Sequence, residues 1–471
     1  MRILAGIAWL AGSCAFGAAG IQAPDRLRCE YLENPPVIDV PSPRFSWIPK
    51  HEGKSQIQTA YQVLVTSEAG ANVWNSGKVA SRATAQIPYA GPALHSNRQY
   101  RWRVRYWDRE GQASAYSQSA SFTTGLLQPG DWKARWIEGG NELQHQFTIA
   151  GSLRRARAFV SAVGLYELRI NGRRVGNAVL DPAWTDYRKR ALYSAYDVRP
   201  LLHAGRNTIE IRLGKGRAET SAALLQLHIA GSAGETVIAS GFDWLCRDGA
   251  VRSASLYDGE VDDARPVSEP WRPVALSSKT PATVSAQMIQ PIEVTETIVP
   301  RQLSPGIYDV GQLISGWARI AVKGPAGAEV KLRFAETLLP DGSLDRSTLR
   351  AAKAEDTYIL RGGGVETWEP AFTYHGFRYI EATGAPIRGI EARVVHSAVG
   401  GVGTFRSSSD LLNRIEQAID WTIRTNLHGI PTDNNQRDER LGWLGDAHLA
   451  AHVSSLHFDL AAFYTKFLRD I

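Results

Sequence analysis

The apolar positions of this chain repeat at two spacings. Up to about residue 400 they alternate. In Tyr100–Trp107, Trp102, Val104 and Tyr106 share one face while Arg101, Arg103 and Arg105 share the other, the period of a half-buried strand. Tyr61–Val65 alternates too, and Asn75-Ser76-Gly77 and Asp108–Gly111 read as turns. Short strands at this spacing predict a fibronectin-III/immunoglobulin-like sandwich over residues 24–125. Gly125–Asp131 reads as a junction. A second β unit, 131–285, holds Ala158–Gly164 and Tyr166–Ile170, followed by Asn171-Gly172, a strong hairpin signal. A third, 290–398, holds Tyr308–Gly311, Trp317–Val322, Val330–Phe334 and Tyr374–Glu381. No fixed-period repeat is present, which excludes a solenoid.

After residue 405 the spacing becomes helical. Ser409 or Asp410 can cap a helix with Leu411, Ile415, Ala418/Ile419 and Thr422/Ile423 on one face. Asp459 can cap another, with Phe458 and Phe463 as a hydrophobic staple. Leu460, Phe463/Tyr464, Phe467/Leu468 and Ile471 form its stripe. The fold class is therefore multidomain and mainly β, three sandwich-type units followed by helices over 402–471.

Composition narrows the picture only slightly. With 53 Lys+Arg against 47 Asp+Glu the net charge is +6, and no basic cluster accompanies it, so nucleic acid is not an expected partner. At 44% hydrophobic residues the chain can fold around cores. Residues 1–20 (MRILAGIAWLAGSCAFGAAG) place Arg2 before an apolar run with a small-residue end. That is an export-signal pattern, with a single membrane anchor as the alternative. Export to the periplasm or exterior is expected, with no membrane span in the mature chain. Cleavage leaves Cys29 and Cys246, far apart and expected to be unpaired.

Candidate chemistry sits between the helical segments. Pro431–Asp446 holds Asp433, Arg437, Asp438, Glu439, Arg440, Trp443 and Asp446. A helical turn from Asp438 would put Glu439, Trp443 and Asp446 on one face, with Asp433 bending back toward them. Such a face suits a glycoside. An acid must protonate the departing oxygen, so its pKa should be raised by burial and neighbouring carboxylates. Carboxylates hold sugar hydroxyls, and the indole packs on a sugar ring. The alternative is a capped turn with surface ion pairs among Arg437, Asp438, Glu439 and Arg440. Ser255–Arg265 (SLYDGEVDDAR) is also rich in carboxylates. It reads as a solvated loop or as a calcium or sugar site.

The run Asp433–Asp446 resembles the signature of bacterial α-L-rhamnosidases, the family 78 glycoside hydrolases. NPPVIDVPSPRFSW (34–47), LDPAWTDYRKR (180–190), Tyr257–Glu260, Tyr308–Gly311 and TWEPAFTYHGFRY (367–379) resemble that family in the same order. The resemblance implies a rhamnosidase N-terminal sandwich, a concanavalin-like sandwich and the start of a six-hairpin (α/α)6 barrel. It also implies inverting hydrolysis of terminal α-L-rhamnose from a glycoside or polysaccharide. By resemblance Glu439 is the general acid, Asp433 and Asp446 hold rhamnose or tune the acid, and Trp443 is a pocket aromatic. Arg437 and Asp438 have supporting roles in substrate binding. Asn434-Asn435 stands where the family often has Cys-Pro. No cofactor is expected for the chemistry, although in some relatives a region like the second β unit binds rhamnose with calcium.

Inversion needs a second carboxylate about 6.5–9.5 Å from the acid. In the family it lies further along the barrel, so the chain is expected to end before it. It is also expected to leave apolar faces such as the Phe463/Phe467 stripe uncovered. A non-catalytic carbohydrate-binding protein is the alternative.

Overall fold

A computed structural model describes residues 20–278 and 280–471. The leader reading falls almost wholly outside the described residues. The chain divides into two compact units, one comprising residues up to 34, 41–94 and 98–122, the other 35–40, 95–97 and 123–471.

In the first unit, strand Ala60–Ser67 pairs antiparallel with Gln99–Trp107, and Ile21–Cys29 pairs with Arg44–His51. The alternation is realised as expected. Trp102, Val104 and Tyr106 are buried, and the Phe45 and Trp102 rings lie 4.5 Å apart. On the opposite face the Arg103 and Arg105 guanidiniums stack on Tyr116. Cys29 here and Cys246 in the second unit are buried and unpaired.

In the second unit, a six-stranded and a seven-stranded sheet contribute to one apolar core that includes Leu143, Val160, Leu168, Ile211, Leu225 and Trp244. Asn171 and Gly172 take φ values of 51° and 75°, the left-handed pair that a two-residue hairpin turn requires. A ten-stranded sheet follows, with the long strand Ile307–Lys323 at its centre. The segment 255–265 is not simply a loop. Strands Val251–Ser255 and Gly259–Asp263 form a hairpin, and the second of them runs parallel to Glu355–Ile359. Its alternate residues Glu260 and Asp262 face protein, which is why the carboxylates are buried rather than solvated.

Three helices close the described chain: α1 (Asp410–Arg424), α2 (Leu444–His457) and α3 (Ala461–Asp470). Ser409 is the cap of α1, its hydroxyl accepting the Leu412 N–H at 3.5 Å. The predicted apolar face of α1 is buried only at its C-terminal end. Ile423 is buried, whereas Leu411, Leu412 and Ile415 are exposed. The cap expected at Asp459 moves one residue on, to Leu460. Phe458 and Phe463 are therefore out of staple register, though both join one core with Ala183, Leu192 and Ile289. The Phe463/Phe467 stripe expected to be uncovered is instead buried. It packs on β residues and on Ile430, and Lys466 inside α3 donates to Gly429 O at 3.0 Å.

Candidate functional site

The segment between α1 and α2 takes its shape from the sheets it lies on. His428 stacks on Tyr374 with centroids 4.0 Å apart, and its Nε2 lies 3.0 Å from Val395 O. Burial holds that imidazole neutral, pulling its pKa from 6.5 to about 3. Asn435 seats directly over Gly376, where a Cβ would come within 2.2 Å of its Oδ1.

Arg440 is the anchor. The surface ion pairs considered for it do not exist, because its side chain is 0% exposed. It donates to Leu256 O and Tyr374 O at 2.5 Å, Arg437 O at 3.0 Å and Gln436 O at 3.1 Å. Its guanidinium also lies over the Tyr374 and Tyr257 rings. A cation without a carboxylate is tolerated here because carbonyl dipoles and π faces replace its hydration. Burial still lowers its pKa from the usual value.

Arg440 has φ 53°, outside the right-handed helical region, so no helix can run from Asp438 through it. The expected shared helical face is therefore absent, and α2 starts only at Leu444. Glu439 and Trp443 nevertheless meet, the indole Nε1 donating to Glu439 Oε1 at 2.9 Å. Arg437 Nε donates to Glu439 Oε2 at 3.0 Å, and its Nη2 reaches Asp433 Oδ2 at 3.3 Å. Asp433 closes the loop by accepting the Leu441 N–H at 2.8 Å and the Asn434 amide at 2.7 Å.

The structure thus brings together Asp433, Arg437, Glu439 and Trp443. It does not bring in Asp438 or Asp446. Asp438 is exposed, and Asp446 is exposed in the first turn of α2, where its charge complements the helix N-terminus.

Three contributors from the β part were missed. Tyr257 donates its hydroxyl to Glu439 O at 3.2 Å. Arg217 bonds that hydroxyl at 3.0 Å and also Arg440 O. Arg350 Nη1 donates to Glu439 Oε2 at 3.0 Å. Tyr257 lies within a family-like motif, but no sequence signal marks Arg350 or Arg217.

These neighbours reverse the expected electrostatics. The Trp443 N–H, then Arg437 and Arg350, hold the Glu439 carboxyl below its usual pKa. The nearby charges are guanidiniums rather than the carboxylates expected to raise it. A raised carboxyl exists elsewhere. Buried Glu260 is pushed to about 8 by desolvation and accepts the N–H groups of Ala371 and Phe372.

The other carboxylates of the 255–265 hairpin also have protein partners. Asp262 takes the Trp368 indole at 3.1 Å, and Asp263 is paired with Arg252 and Arg265. Among the described residues no group of three or more His, Cys, Asp or Glu converges as a metal site.

Family models match the chain in consecutive blocks. Residues 24–128 match the Rha78A-like N-terminal immunoglobulin domain, and 151–307 the α-L-rhamnosidase N-terminal domain. Residues 302–400 match the bacterial α-L-rhamnosidase concanavalin-like domain, and 401–471 its 6 hairpin glycosidase domain. The chain belongs to the bacterial α-L-rhamnosidase family.

Among curated relatives, an α-L-rhamnosidase of Streptomyces avermitilis is 28% identical over 94% of this chain and 64% of its own length. One of Formosa agariphila is 31% identical over 95% and 55%. The solved α-L-rhamnosidase from Dictyoglumus thermophilum superposes with a TM-score of 0.91 at 37% identity, covering 97% of this chain and 58% of that one. The Streptomyces avermitilis enzyme complexed with L-rhamnose gives 0.89 at 27%, covering 95% and 64%. The chain thus spans between about half and two thirds of the length of these rhamnosidases. Among the described residues no helix is long and apolar enough to cross a membrane.

Proposed function

We propose that this chain carries the acid half of an α-L-rhamnosidase site. Glu439 protonates the glycosidic oxygen of a terminal α-L-rhamnoside as the bond from the anomeric carbon to that oxygen breaks. Water adds to the anomeric carbon from the opposite face with inversion, and a second carboxylate takes the water proton. Asp433 is not that base in this reading, because its oxygens are engaged by Leu441, Asn434 and Arg437. Trp443, half exposed beside Glu439, offers an indole face to the sugar. No cofactor enters the chemistry, and the apolar leader supports action outside the cytoplasm.

The observation that carries the reading is the joint hold of Trp443 and Arg437 on Glu439 within the segment that matches the 6 hairpin glycosidase domain. The lowered pKa of Glu439 favours a second reading, rhamnoside binding without turnover. Hydrolysis of p-nitrophenyl-α-L-rhamnoside separates them. Turnover that falls about 10²–10⁴-fold in Glu439→Gln supports the acid. L-Rhamnose binding with no turnover in the parent chain, even with added azide, which can attack the anomeric carbon without a general base, establishes the second reading.

A further inference from the structure

The two cations on Glu439 differ in how they are held. Arg437 is tied on its other side to Asp433 at 3.3 Å and shares its loop. Arg350 comes from the ten-stranded-sheet region, 89 residues earlier, and Glu439 is its one ion-pair partner among the described residues. Its side chain is 57% exposed, yet its backbone is fixed. Leu349 and Ala352 on either side are buried in the sheet core, and between them Arg350 has φ 55° and ψ −118°. A non-glycine residue in that region is strained, and such strain persists where the surroundings enforce it, often at ligand clamps. The fold thus presents an exposed guanidinium, on a backbone flanked by buried residues, beside the acid.

Resting on the reading of Glu439 as general acid, we propose that Arg350 lines the leaving-group site and selects a rhamnoside whose neighbouring sugar carries a carboxylate. The geometry is direct. An acid delivers its proton to the glycosidic oxygen, so the leaving group begins within hydrogen-bond reach of Glu439. Arg350, itself exposed, touches Glu439 Oε2, the oxygen that Arg437 also bonds.

A guanidinium fork takes a carboxylate through two parallel N–H donors. Lys353, three residues on, is also exposed and adds positive charge to the same loop. A uronate arriving there exchanges one ion pair for another. Arg350 leaves Glu439 for the ligand, while Arg437 stays with Asp433. Glu439 then faces Arg437, the Trp443 N–H and, through its backbone oxygen, Tyr257. With one cation fewer it holds a proton more readily. The acidic leaving group would both dock and prime the acid, and a neutral one would do neither.

The test uses the whole chain and two disaccharides, α-L-rhamnopyranosyl-(1→4)-glucuronate and its methyl ester. Binding is read by calorimetry at pH 7, so turnover is not required. The parent chain is expected to bind the acid about tenfold tighter than the ester. Arg350→Gln should equalise the two, and Arg350→Lys should keep part of the preference. In a second measurement, the ¹³C carboxyl titration of Glu439, assigned with Glu439→Gln, should move upward in Arg350→Gln. In the parent it should move upward on adding the uronate but not the ester.

Equal binding of both sugars by the parent, or an unchanged preference in Arg350→Gln, overturns the proposal and leaves the acid reading standing. Absence of binding by either sugar and by L-rhamnose overturns both.

Discussion

The ten-stranded sheet and the helical end are held by different means. In the sheet, Val330, Leu332, Phe334, Phe377 and Val394 are fully buried in one apolar core. In α1 and α2, Leu411, Ile415, Leu449 and Leu456 face outward. The helical end is fixed at particular points instead. These are the Phe458/Phe463 contact with β residues, the Lys466 ammonium on backbone carbonyls, and the Arg440 and His428 side chains on the sheet. The candidate site lies on the second kind of support. The residues that would do chemistry belong to the helical end, whereas their positions are set by polar bonds to the β part.

The largest break of that comparison is Arg440→Ala. It would leave the carbonyls of Leu256 and Tyr374 buried without a donor, and each orphaned buried acceptor costs about 1–3 kcal/mol. A loss of about 3 kcal/mol is expected in urea unfolding. L-Rhamnose affinity should fall with it, because the Glu439 backbone turns on Arg440. A variant that keeps stability within about 0.5 kcal/mol would show that the loop holds its form without the sheet.

This division also decides what could be read from sequence. The strands were legible because a period of two needs only local residues, as at Trp102, Val104 and Tyr106, and Asn171-Gly172 names its own turn. Glu439 and Trp443 were paired by helical spacing, but they meet through a loop that turns at Arg440 with a left-handed φ. The right partners therefore emerged from the wrong local geometry, and Asp446, placed by the same helix, did not join them. Arg350 and the burial of Arg440 were not legible at all. Both depend on segments distant in sequence coming together, and no spacing rule encodes that. The raised pKa expected for Glu439 failed for the same reason, since its cation from the sheet region was invisible.

A smaller effect is carried by His428. Its folded pKa of about 3 lies below its reference of 6.5. The unfolded chain therefore binds the extra proton between those values, and stability falls as pH drops through that window. Above 6.5 both states are neutral and the contribution is flat. Buried Glu260, raised to about 8, has the opposite slope, with stability lost as pH rises from its ordinary value of 4.5 toward 8. Comparing the parent with His428→Gln at each pH cancels that term. The stability advantage of the parent should shrink by up to about 1.4 kcal/mol per pH unit below 6.5, read from urea midpoints between pH 7 and 4.5. A constant difference would mean that His428 keeps its ordinary pKa and that its stacking on Tyr374 does not exclude water.

The smallest expected effect tests the other side of the comparison. Leu449, on α2, is 80% exposed, so removing its side chain takes almost nothing out of an apolar environment. Leu449→Ser should change stability by no more than about 0.5 kcal/mol. A buried leucine of the sheet such as Leu332, cut back to Ala, loses about 2–5 kcal/mol by comparison. The value of Leu449→Ser lies in its failure. A loss above about 1 kcal/mol that diminishes on dilution would show this face covered in solution by another molecule, because only burial gives a leucine that much to lose. Sedimentation at the same concentrations distinguishes a second copy of the chain from a change within one chain. With no such loss, the outward leucines contribute nothing to holding the helices, and the polar anchors at Arg440, His428 and Lys466 carry the positioning of the Glu439 loop.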